Sequence, residues 1–409
     1  MKKNNITIIG VNFYPEDSST GLYTTQMAEY LSKKDYEVSV ITGFPYYPEW
    51  KIRKEYKDKP KYIVETKENI TIYRYKQYVP TNPTFKTRTF HLLDFTLGSF
   101  FNLFKIEKCD LVISVVPFTS TIFIGKLLSW RKNAKLWAHI QDFEVDAILD
   151  SGIASNSTGF KKLLFTLLFG IEKKLLDSAD ITSTISFSMM EKLKSKTTTP
   201  HYYFPNWIDD DFIDPKKAQR HPYLESDRFK ILYSGNIGAK QDWDFFLRIV
   251  RHFQNHSDIE FIVVGAGAKK EWLVEQTKEI ENVIHHMPVE YEELPDLLCS
   301  ADMHILFQKN DVIDAVMPSK LLGMMGSKKP SVVTGNVASE VATVFKKSNG
   351  GLFFDSSDFE GVVEAIKMLS KSPNRRDQMG RNAREYIIEH FAKEKVLKNF
   401  EKQIQSLLR

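Results

Sequence analysis

Two short glycine-containing turns in the second half of the chain each follow a run of apolar residues. The first turn, residues 234–238, follows the apolar run 231–233, and the second, residues 265–267, follows the run 261–264. Apolar residues recur at helical spacing between them, so the pattern predicts strand, turn, helix, strand and turn. In a parallel α/β unit such turns lie at the carboxyl ends of the strands, where ligands bind.

The first turn has residue types suited to binding an anion. Gly235 and Gly238 would let backbone amides approach a ligand closely, and Asn236 lies between them. Lys240 adds a positive charge near the predicted start of a helix, which itself attracts phosphate. These residues indicate a site for the diphosphate of a nucleotide-linked substrate. An ordinary turn with a surface lysine is the alternative.

A second candidate anion site follows the predicted strand at 303–306. Pro318 and Ser319 directly precede a predicted helix that begins at Lys320. Lys320 is placed to hold phosphate or, alternatively, to be solvated in the first turn of the helix. Asp314 is placed to accept hydrogen bonds from a ribose or a sugar, or to serve as a turn acid.

Polar residues also follow a predicted strand, 135–140, in the first half of the chain. Asp142 or Glu144 would position a hydroxyl group, and His139 would donate to a developing negative charge, with Gln141 between them. A surface loop with helix-capping acids is the alternative. Gly21, at the start of the first predicted helix, is either a ligand contact or a simple helix-start glycine.

Length and composition limit the class of protein. A chain of 409 residues should form two or more domains, and a net charge of +4 is too small to indicate nucleic acid. The two cysteines, Cys109 and Cys299, lack metal-ligand spacing and suit a reducing cytoplasm. Asp242 and Asp244 match a metal motif of some sugar transferases, but acids in the opening turn of a helix favour its macrodipole, the reading we prefer. No metal is expected.

Two α/β domains are predicted, at 1–204 and 205–390. The second contains strands near 231, 261, 283, 303 and 331, and a terminal helix at 391–409 is able to pack back on the first domain. Residues 43–70 are rich in Pro, Tyr, Lys and Glu and are expected to form a long excursion. Two such domains make a cleft between them, a favoured place for a ligand.

Two apolar, aromatic helices are predicted at 91–106 and 159–177, with basic residues beside each. Both are too short and too interrupted to span a bilayer. They are either core helices or interfacial helices lying on anionic lipid. The second reading predicts a cytoplasmic protein that contacts the inner face of the cell membrane.

Nearly the whole chain resembles a retaining GT-B glycosyltransferase of family four. It is most similar to the bacterial transferases of capsule, O-antigen and colanic acid synthesis, including the fucosaminyltransferase-like branch. The resemblance is carried, in this order, by NFYPEDSSTGLYTTQMAEYL, HIQDFEVDAIL, FPNWID, YSGNIGAKQDWD, VVGAGAKKEWL and VMPSKLLGMMGSKKPSVVTG. It implies two Rossmann-like domains, of which the second binds most of the nucleotide sugar.

The resemblance also assigns roles to residues of this chain. In the second domain it implies donor contacts by Gly235, Asn236, Lys240, Gly265, Gly267, Pro318, Ser319, Lys320 and Glu340. In the first domain it places Gly21 near the transferred sugar, and His139, Gln141 and Asp142 at the reacting centre. One departure is clear. The family's paired glutamates would fall on Ala315 and Gly323, so the ribose lacks its usual partner.

The implied activity is sugar transfer with retention, without metal or cofactor, from a nucleotide sugar. A UDP-sugar is the favoured donor, and a lipid-linked saccharide in surface polysaccharide synthesis is the expected acceptor. Lys240 would stabilise the departing diphosphate. A nucleotide-sugar epimerase of the same fold and a non-catalytic nucleotide-sugar-binding protein are the alternatives.

Overall fold

The computed structural model describes residues 3–17, 19–143, 159–310 and 319–409. Within these ranges the chain forms two compact units. The first unit comprises Met1–Pro205 together with Leu397–Arg409, and the second comprises Asn206–Val396. Each unit is an α/β sandwich around its own sheet, which confirms the predicted fold class.

The first unit contains an eight-stranded sheet in the order β3-β4-β2-β1-β5-β6-β7-β8. The strands are β1 Asn4–Ile9, β2 Tyr36–Gly43, β3 Tyr62–Lys67, β4 Ile70–Tyr75, β5 Leu111–Val116, β6 Lys135–Ile140, β7 Ile181–Thr184 and β8 His201–Tyr203. Every neighbouring pair is parallel except β3 with β4. The long excursion expected at 43–70 therefore contains an edge strand that the sequence pattern did not predict. Strand β3 is an edge strand with the sequence YIVETK, in which Val64 and Thr66 are exposed, so it lacks the continuous apolar run of a buried parallel strand.

The helices of the first unit are α1 Ser19–Ser32, α2 Lys54–Lys57, α3 Phe85–Phe100, α4 Ser120–Lys132, α5 Gly159–Asp177 and α6 Phe187–Lys196. Because parallel strands are joined by right-handed crossovers, α3, α4 and α5 cover one face of the sheet and α1 covers the other. Helix α4 packs against both α3 and α5. The central strands β1 and β5 are buried on both faces, as a parallel sheet requires.

The second unit contains a six-stranded, fully parallel sheet in the order β11-β10-β9-β12-β13-β14. Its strands are β9 Phe229–Ser234, β10 Ile259–Val264, β11 Val283–His286, β12 Met303–Phe307, β13 Ser331–Gly335 and β14 Gly351–Asp355. Its helices are α7 Trp243–His252, α8 Lys270–Thr277, α9 Leu294–Ser300, α10 Ser319–Gly326, α11 Glu340–Ser348, α12 Phe359–Lys371 and α13 Pro373–Phe391.

The last helix, α14 Lys393–Leu408, follows α13 directly and ends in the first unit. Its Phe400 is fully buried, with ring centroids 4.8 Å from Trp137 and 4.2 Å from Phe204. Tyr30 of α1 donates a hydrogen bond of 2.9 Å from its hydroxyl group to Glu401. The apolar side of α14 thus covers the same face of the first sheet as α1. Among the described residues, no helix is long and apolar enough to cross a membrane.

Candidate functional site

The two glycine turns of the second unit interlock at the carboxyl ends of β9 and β10. The amide of Ile237 donates to the carbonyl of Ala266 at 2.8 Å, and the amide of Lys269 donates to the carbonyl of Ile237 at 3.0 Å. A Cβ atom on Gly265 would lie 2.0 Å from the carbonyl oxygen of Gly235. The close approach of the two backbones therefore requires glycine at position 265. Gly267 lies at the end of the same contact and has a positive φ of 150°.

The structure corrects the role expected for the glycine amides. The amide of Gly235 donates to the carbonyl of Val264 at 2.9 Å, and the amide of Gly238 donates to Gln241 Oε1 at 3.2 Å. Both donors are therefore engaged within the protein rather than directed at a ligand. Gly235 instead makes room for a side chain: its Cβ position lies 2.6 Å from Cε and 2.8 Å from Nζ of Lys320. Its φ of 133° is a second reason for glycine here.

Lys320 in the first turn of α10 extends to the end of β9. Its ammonium group donates to the hydroxyl oxygen of Tyr233 at 3.0 Å and lies 4.1 Å from the centre of the same ring. Tyr233 is buried, and its own hydroxyl donates to the carbonyl of Asn236 at 2.7 Å. The Tyr233 hydroxyl group therefore contacts both the first glycine turn, through Asn236, and the ammonium group of Lys320. The alternative of a solvated Lys320 is wrong.

The charge of Lys320 lacks a compensating anion within the described part of the chain. No carboxylate of the described residues lies within salt-bridge distance of its Nζ, and burial lowers the pKa of Lys320 to about 7. Desolvation of an ammonium group favours its neutral form, and a bound anion reverses that shift. The site is therefore suited to a group that arrives with negative charge.

Other predicted residues of the second unit lie around this centre or outside the described residues. Lys240 and Asn236 are exposed on the first turn. Asp242 caps α7 by accepting from the amide of Phe245 at 3.0 Å, which supports its structural reading. Within the described ranges, no group of three or more His, Cys, Asp and Glu side chains could hold a metal.

The segments after β12 and β13 hold the remaining predicted contacts. Asp314, Ala315 and Pro318 lie outside the described residues, and Ser319 is described only as the first residue of α10. Glu340 is half-buried and begins α11, where the Ser339 hydroxyl accepts from the amide of Ala342 at 3.2 Å. It therefore lies at the same carboxyl edge of the sheet as the glycine turns.

Gly323, the position at which the family would place its second glutamate, lies on the packed side of α10. A Cβ atom there would lie 3.1 Å from Leu298 Cδ1 and 3.8 Å from Ile213 Cδ1. Lys320, three residues earlier, is directed at Tyr233 instead. Helix α10 therefore directs the ammonium group of Lys320 towards the first glycine turn, and Gly323 allows the helix to pack closely.

In the first unit, His139 is a buried member of β6 with both ring nitrogens bonded. Its Nδ1 lies 2.9 Å from Ser183 Oγ, and its Nε2 accepts from the side-chain amide group (Nε2) of Gln141 at 3.0 Å. Burial lowers the pKa of His139 to about 3, so the ring is neutral at physiological pH. The expected donation to a developing negative charge is not available from Nε2 in this arrangement, because Nε2 is the acceptor. Asp142 is exposed beyond the strand.

Gly21 lies in the first turn of α1 against Glu16, a buried carboxylate that the sequence analysis did not single out. A Cβ atom at Gly21 would lie 2.8 Å from Glu16 Cβ. Glu16 Oε1 accepts from the amides of Tyr46 and Tyr47 at 2.7 and 2.9 Å, and Oε2 accepts from Asn12 at 2.8 Å. Burial raises the pKa of Glu16 although these donors oppose it. Gly21 thus leaves room for the Glu16 carboxylate, which links the loops after β1 and β2 by hydrogen bonds.

Comparisons with known proteins identify the family of this chain. The family described as glycosyl transferases, group 1, matches residues 215–386. The chain is 32% identical over 414 residues to the Escherichia coli strain K12 protein WcaI, described as a colanic acid biosynthesis glycosyl transferase, covering 97% of this chain and 98% of that protein. The chain belongs to the group 1 glycosyltransferase family.

Solved structures show the same fold at low sequence identity. Sucrose-phosphate synthase of Thermosynechococcus elongatus superposes with a TM-score of 0.75 at 14% identity, covering 99% of each chain. Anabaena HepE, solved in complex with UDP, superposes with a TM-score of 0.67 at 9% identity, covering 98% of this chain and 100% of that chain. The two parallel-sheet units of this glycosyltransferase therefore form a GT-B fold, as the resemblance implied.

Proposed function

We propose that the protein transfers a sugar from a nucleotide-sugar donor, with the donor diphosphate held at Lys320. The observation that carries the proposal is the half-buried ammonium group of Lys320, fixed by Tyr233 above Gly235 without a carboxylate among the described residues. Desolvated cations hold phosphate strongly because water competes less for the charge. The exposed Lys240 supplies a second charge on the same turn.

The proposed chemistry places these two lysines on the leaving group. When the bond between the anomeric carbon and the diphosphate breaks, negative charge grows on the diphosphate, and preorganised cations stabilise that charge. We propose that the reaction proceeds with retention and without a metal ion, and that the acceptor's proton passes to the leaving diphosphate oxygen. A UDP-sugar is the donor we favour, in keeping with the UDP bound by HepE.

We further propose a lipid-linked saccharide in surface polysaccharide synthesis as the acceptor. The relative WcaI is described by its part in colanic acid biosynthesis. The face of the first unit covered by α3, α4 and α5 exposes large apolar side chains, which are Phe90, Leu93, Leu97, Phe101, Phe104, Phe123, Trp130, Leu167 and Ile171. We propose that these side chains belong to an interaction surface, for which exposed apolar residues are typical. We take its partner to be the inner face of the cell membrane.

Charge supports the choice of an anionic membrane. Lys86, Arg88, Lys105 and Lys108 are exposed on or beside α3, and Lys173 and Lys174 are exposed on α5. Basic residues around an apolar helical face favour the headgroup region of anionic lipid. The group 1 relationship and the absence of a spanning helix in the described residues are compatible with contact from one side.

A thermal-shift and calorimetric panel tests the donor site. One class among UDP-, GDP- and dTDP-sugars should stabilise the wild-type protein, because a ligand of the folded state shifts unfolding by mass action. The Lys320→Met variant should lose at least about tenfold in donor affinity, equivalent to about 1.4 kcal/mol. Lys240→Ala should retain the fold and lose transfer of radiolabelled sugar.

Lys329→Met is the matched control. Lys329 is also a lysine whose pKa is lowered by burial, but it precedes β13, at the opposite edge of the sheet from the glycine turns. Its variant should bind donor like the wild type. Donor affinity unchanged in Lys320→Met would refute the assignment. Conversion of a UDP-sugar in the absence of any acceptor would instead favour the epimerase.

A further inference from the structure

A cluster of aromatic residues in the first unit surrounds a buried histidine that neither the donor site nor the fold accounts for. His91 of α3 is completely buried, and its ring centroid lies 4.8 Å from Tyr46, 5.4 Å from Phe118 and 5.9 Å from Trp50. These residues follow β2, β4 and β5 in the chain, so the cluster lies at the carboxyl edge of the first sheet. Ligands of open α/β sheets bind at that edge.

One nitrogen of His91 has no partner. The Nδ1–H group donates to the carbonyl of Tyr78, which leaves Nε2 as a lone-pair acceptor. Among the described residues this Nε2 is a buried polar atom without a hydrogen bond. Such atoms are uncommon in folded proteins, and each one needs an explanation. A ligand hydroxyl group that displaces one of the covering rings would supply the missing donor.

Two of the covering aromatic residues have strained backbones. Trp50 has a φ of 52° and Phe118 a φ of 83°, a region that side chains with a Cβ atom rarely adopt. Strain of this kind persists where the surrounding structure enforces it, commonly at ligand sites. Both side chains are only half-buried, so each ring offers a face at the surface.

A cation lies beside the aromatic faces. The guanidinium group of Arg88 is 5.0 Å from the centre of the Trp50 ring, and the residue is exposed. No carboxylate of the described residues forms a salt bridge with it. Arg88 belongs to the first turn of α3, where the helix dipole adds positive potential. Aromatic faces next to an uncompensated guanidinium suit a ligand that is both ring-shaped and anionic.

We propose that Trp50, Phe118 and Arg88 form the subsite for a sugar 1-phosphate group, the phosphate-linked sugar of the acceptor. The pyranose ring displaces one of the two half-buried aromatic side chains and lies against both, one of its hydroxyl groups donates to His91 Nε2, and Arg88 binds the phosphate. Glu16 stabilises the backbone that leads to Trp50, because its carboxylate accepts hydrogen bonds from the amides of Tyr46 and Tyr47. The class of ligand, a sugar phosphate, follows from the cluster itself. Only its identification as part of the acceptor rests on the proposed function.

Calorimetric titration with soluble probes tests the subsite without a membrane. The probes are glucose, galactose and N-acetylglucosamine 1-phosphates, their methyl glycosides and inorganic phosphate. At least one sugar 1-phosphate should bind the wild-type chain about tenfold more tightly than its methyl glycoside, which lacks the charge-assisted contact with Arg88. It should also bind about tenfold more tightly than inorganic phosphate, which lacks the contacts of the sugar ring. Trp50→Ala and Arg88→Gln should each weaken that binding about tenfold or more.

Trp130→Ala and Arg131→Gln are matched controls, because this tryptophan and arginine are exposed neighbours on α4 outside the cluster. Both variants should bind the sugar phosphate like the wild type. Should Trp50→Ala fail to fold, Trp50→Phe retains a ring, and Arg88→Gln alters an exposed side chain and carries the test alone. Failure of every sugar 1-phosphate to bind at millimolar concentration would overturn the inference, as would binding unaffected by Arg88→Gln.

The two proposals fail separately. If UDP-, GDP- and dTDP-sugars all leave the protein unstabilised, the donor assignment is refuted, and the sugar phosphate titration still tests the subsite. If donor binding is intact and Arg88→Gln binds sugar 1-phosphate as tightly as the wild type, the subsite falls and the donor site stands.

Discussion

At the scale of single residues, Lys320 of the proposed donor site carries a charge that is unfavourable in the folded protein. Its ammonium group is withdrawn from water beside Tyr233, and burial lowers its pKa to about 7. An unfolded chain would return the lysine to its ordinary, higher pKa, so the unfolded state binds the proton more tightly. By linkage, this group lowers stability at acidic and neutral pH, and the loss is relieved as pH rises from about 7 towards the ordinary lysine value.

Donor binding should therefore depend on pH in the opposite direction. A diphosphate binds the charged form of Lys320 and raises its pKa, so binding above about pH 7 requires uptake of a proton. Donor affinity should be constant below the pKa of the free lysine and should fall by up to about tenfold per pH unit above it. The phosphates of a nucleotide sugar carry no ionisation in this range, so the lysine dominates the profile.

Calorimetry at a series of pH values, in buffers of different ionisation enthalpy, measures both affinity and proton uptake. In Lys320→Met the uptake should vanish, and the ligand-free variant should be more stable than the wild type at neutral pH because a desolvated charge is removed. Lys329→Met should preserve the pH profile of donor affinity. A wild-type profile that stays flat from about pH 6 to about pH 9 would contradict the role of Lys320.

At the scale of elements, α3 divides its residues between two tasks. His91 and Phe95 face the sheet and are completely buried, whereas Phe90, Leu93 and Leu97 follow one another at helical spacing on the outside. A helix whose apolar residues were all structural would turn the second set inward. An exposed apolar set of this kind is typical of an interaction surface, and we have proposed that its partner is anionic lipid.

Vesicle flotation tests this surface. The wild-type protein should float with vesicles rich in phosphatidylglycerol and should be released as salt rises, since basic residues supply part of the attraction. A triple variant, Phe90→Ser with Leu93→Ser and Leu97→Ser, should lose most of the bound fraction because each side chain contributes roughly 1.5–3 kcal/mol when buried.

The control for flotation substitutes exposed apolar residues of the second unit. Val274→Ser with Val337→Ser removes side chains of 37% and 64% exposure. This variant should float like the wild type, and near-UV circular dichroism should show that both variants are folded. Equal flotation of the triple variant and the wild type would exclude α3 as the membrane contact.

At the scale of the whole molecule, the sequence predicts the order of elements better than the roles of residues. Apolar runs and glycine turns correctly predicted the α/β class and the β9–β10 unit, because a buried parallel strand leaves a continuous apolar signal. Strand β3 escaped prediction because an edge strand has one solvated side. The glycine turn was located correctly, but its amides are engaged within the protein, and spacing alone cannot show where a backbone donor goes.

The cluster around His91 illustrates the same limit. Trp50, His91 and Phe118 come from three separate segments, so no local pattern indicates that their rings meet. Positive φ values at Trp50 and Phe118 have no sequence signal either, because side chains of this size rarely adopt them. The buried position of Lys320 depends on the absence of a Cβ atom at Gly235, a contact across 85 positions of the chain. Long-range packing decided each of these features.

The course of α14 makes the stability of the first unit depend on the end of the chain. Leu397, Phe400 and Ile404 are all completely buried, and Phe400 lies against Trp137 and Phe204. Deleting Leu397–Arg409 should therefore remove several large core side chains, each worth roughly 2–5 kcal/mol, a total comparable with the whole stability of a domain. The second unit has its own core and should remain folded.

Hydrogen exchange measured by mass spectrometry should show lost protection in β6 and β7 with protection retained in β9, β10 and β12, while calorimetry still detects donor binding. Lys398→Ala, which alters an exposed side chain of the same helix, should leave all of these strands protected. Full protection of β6 and β7 in the deleted chain would show that α14 contributes little to the first unit.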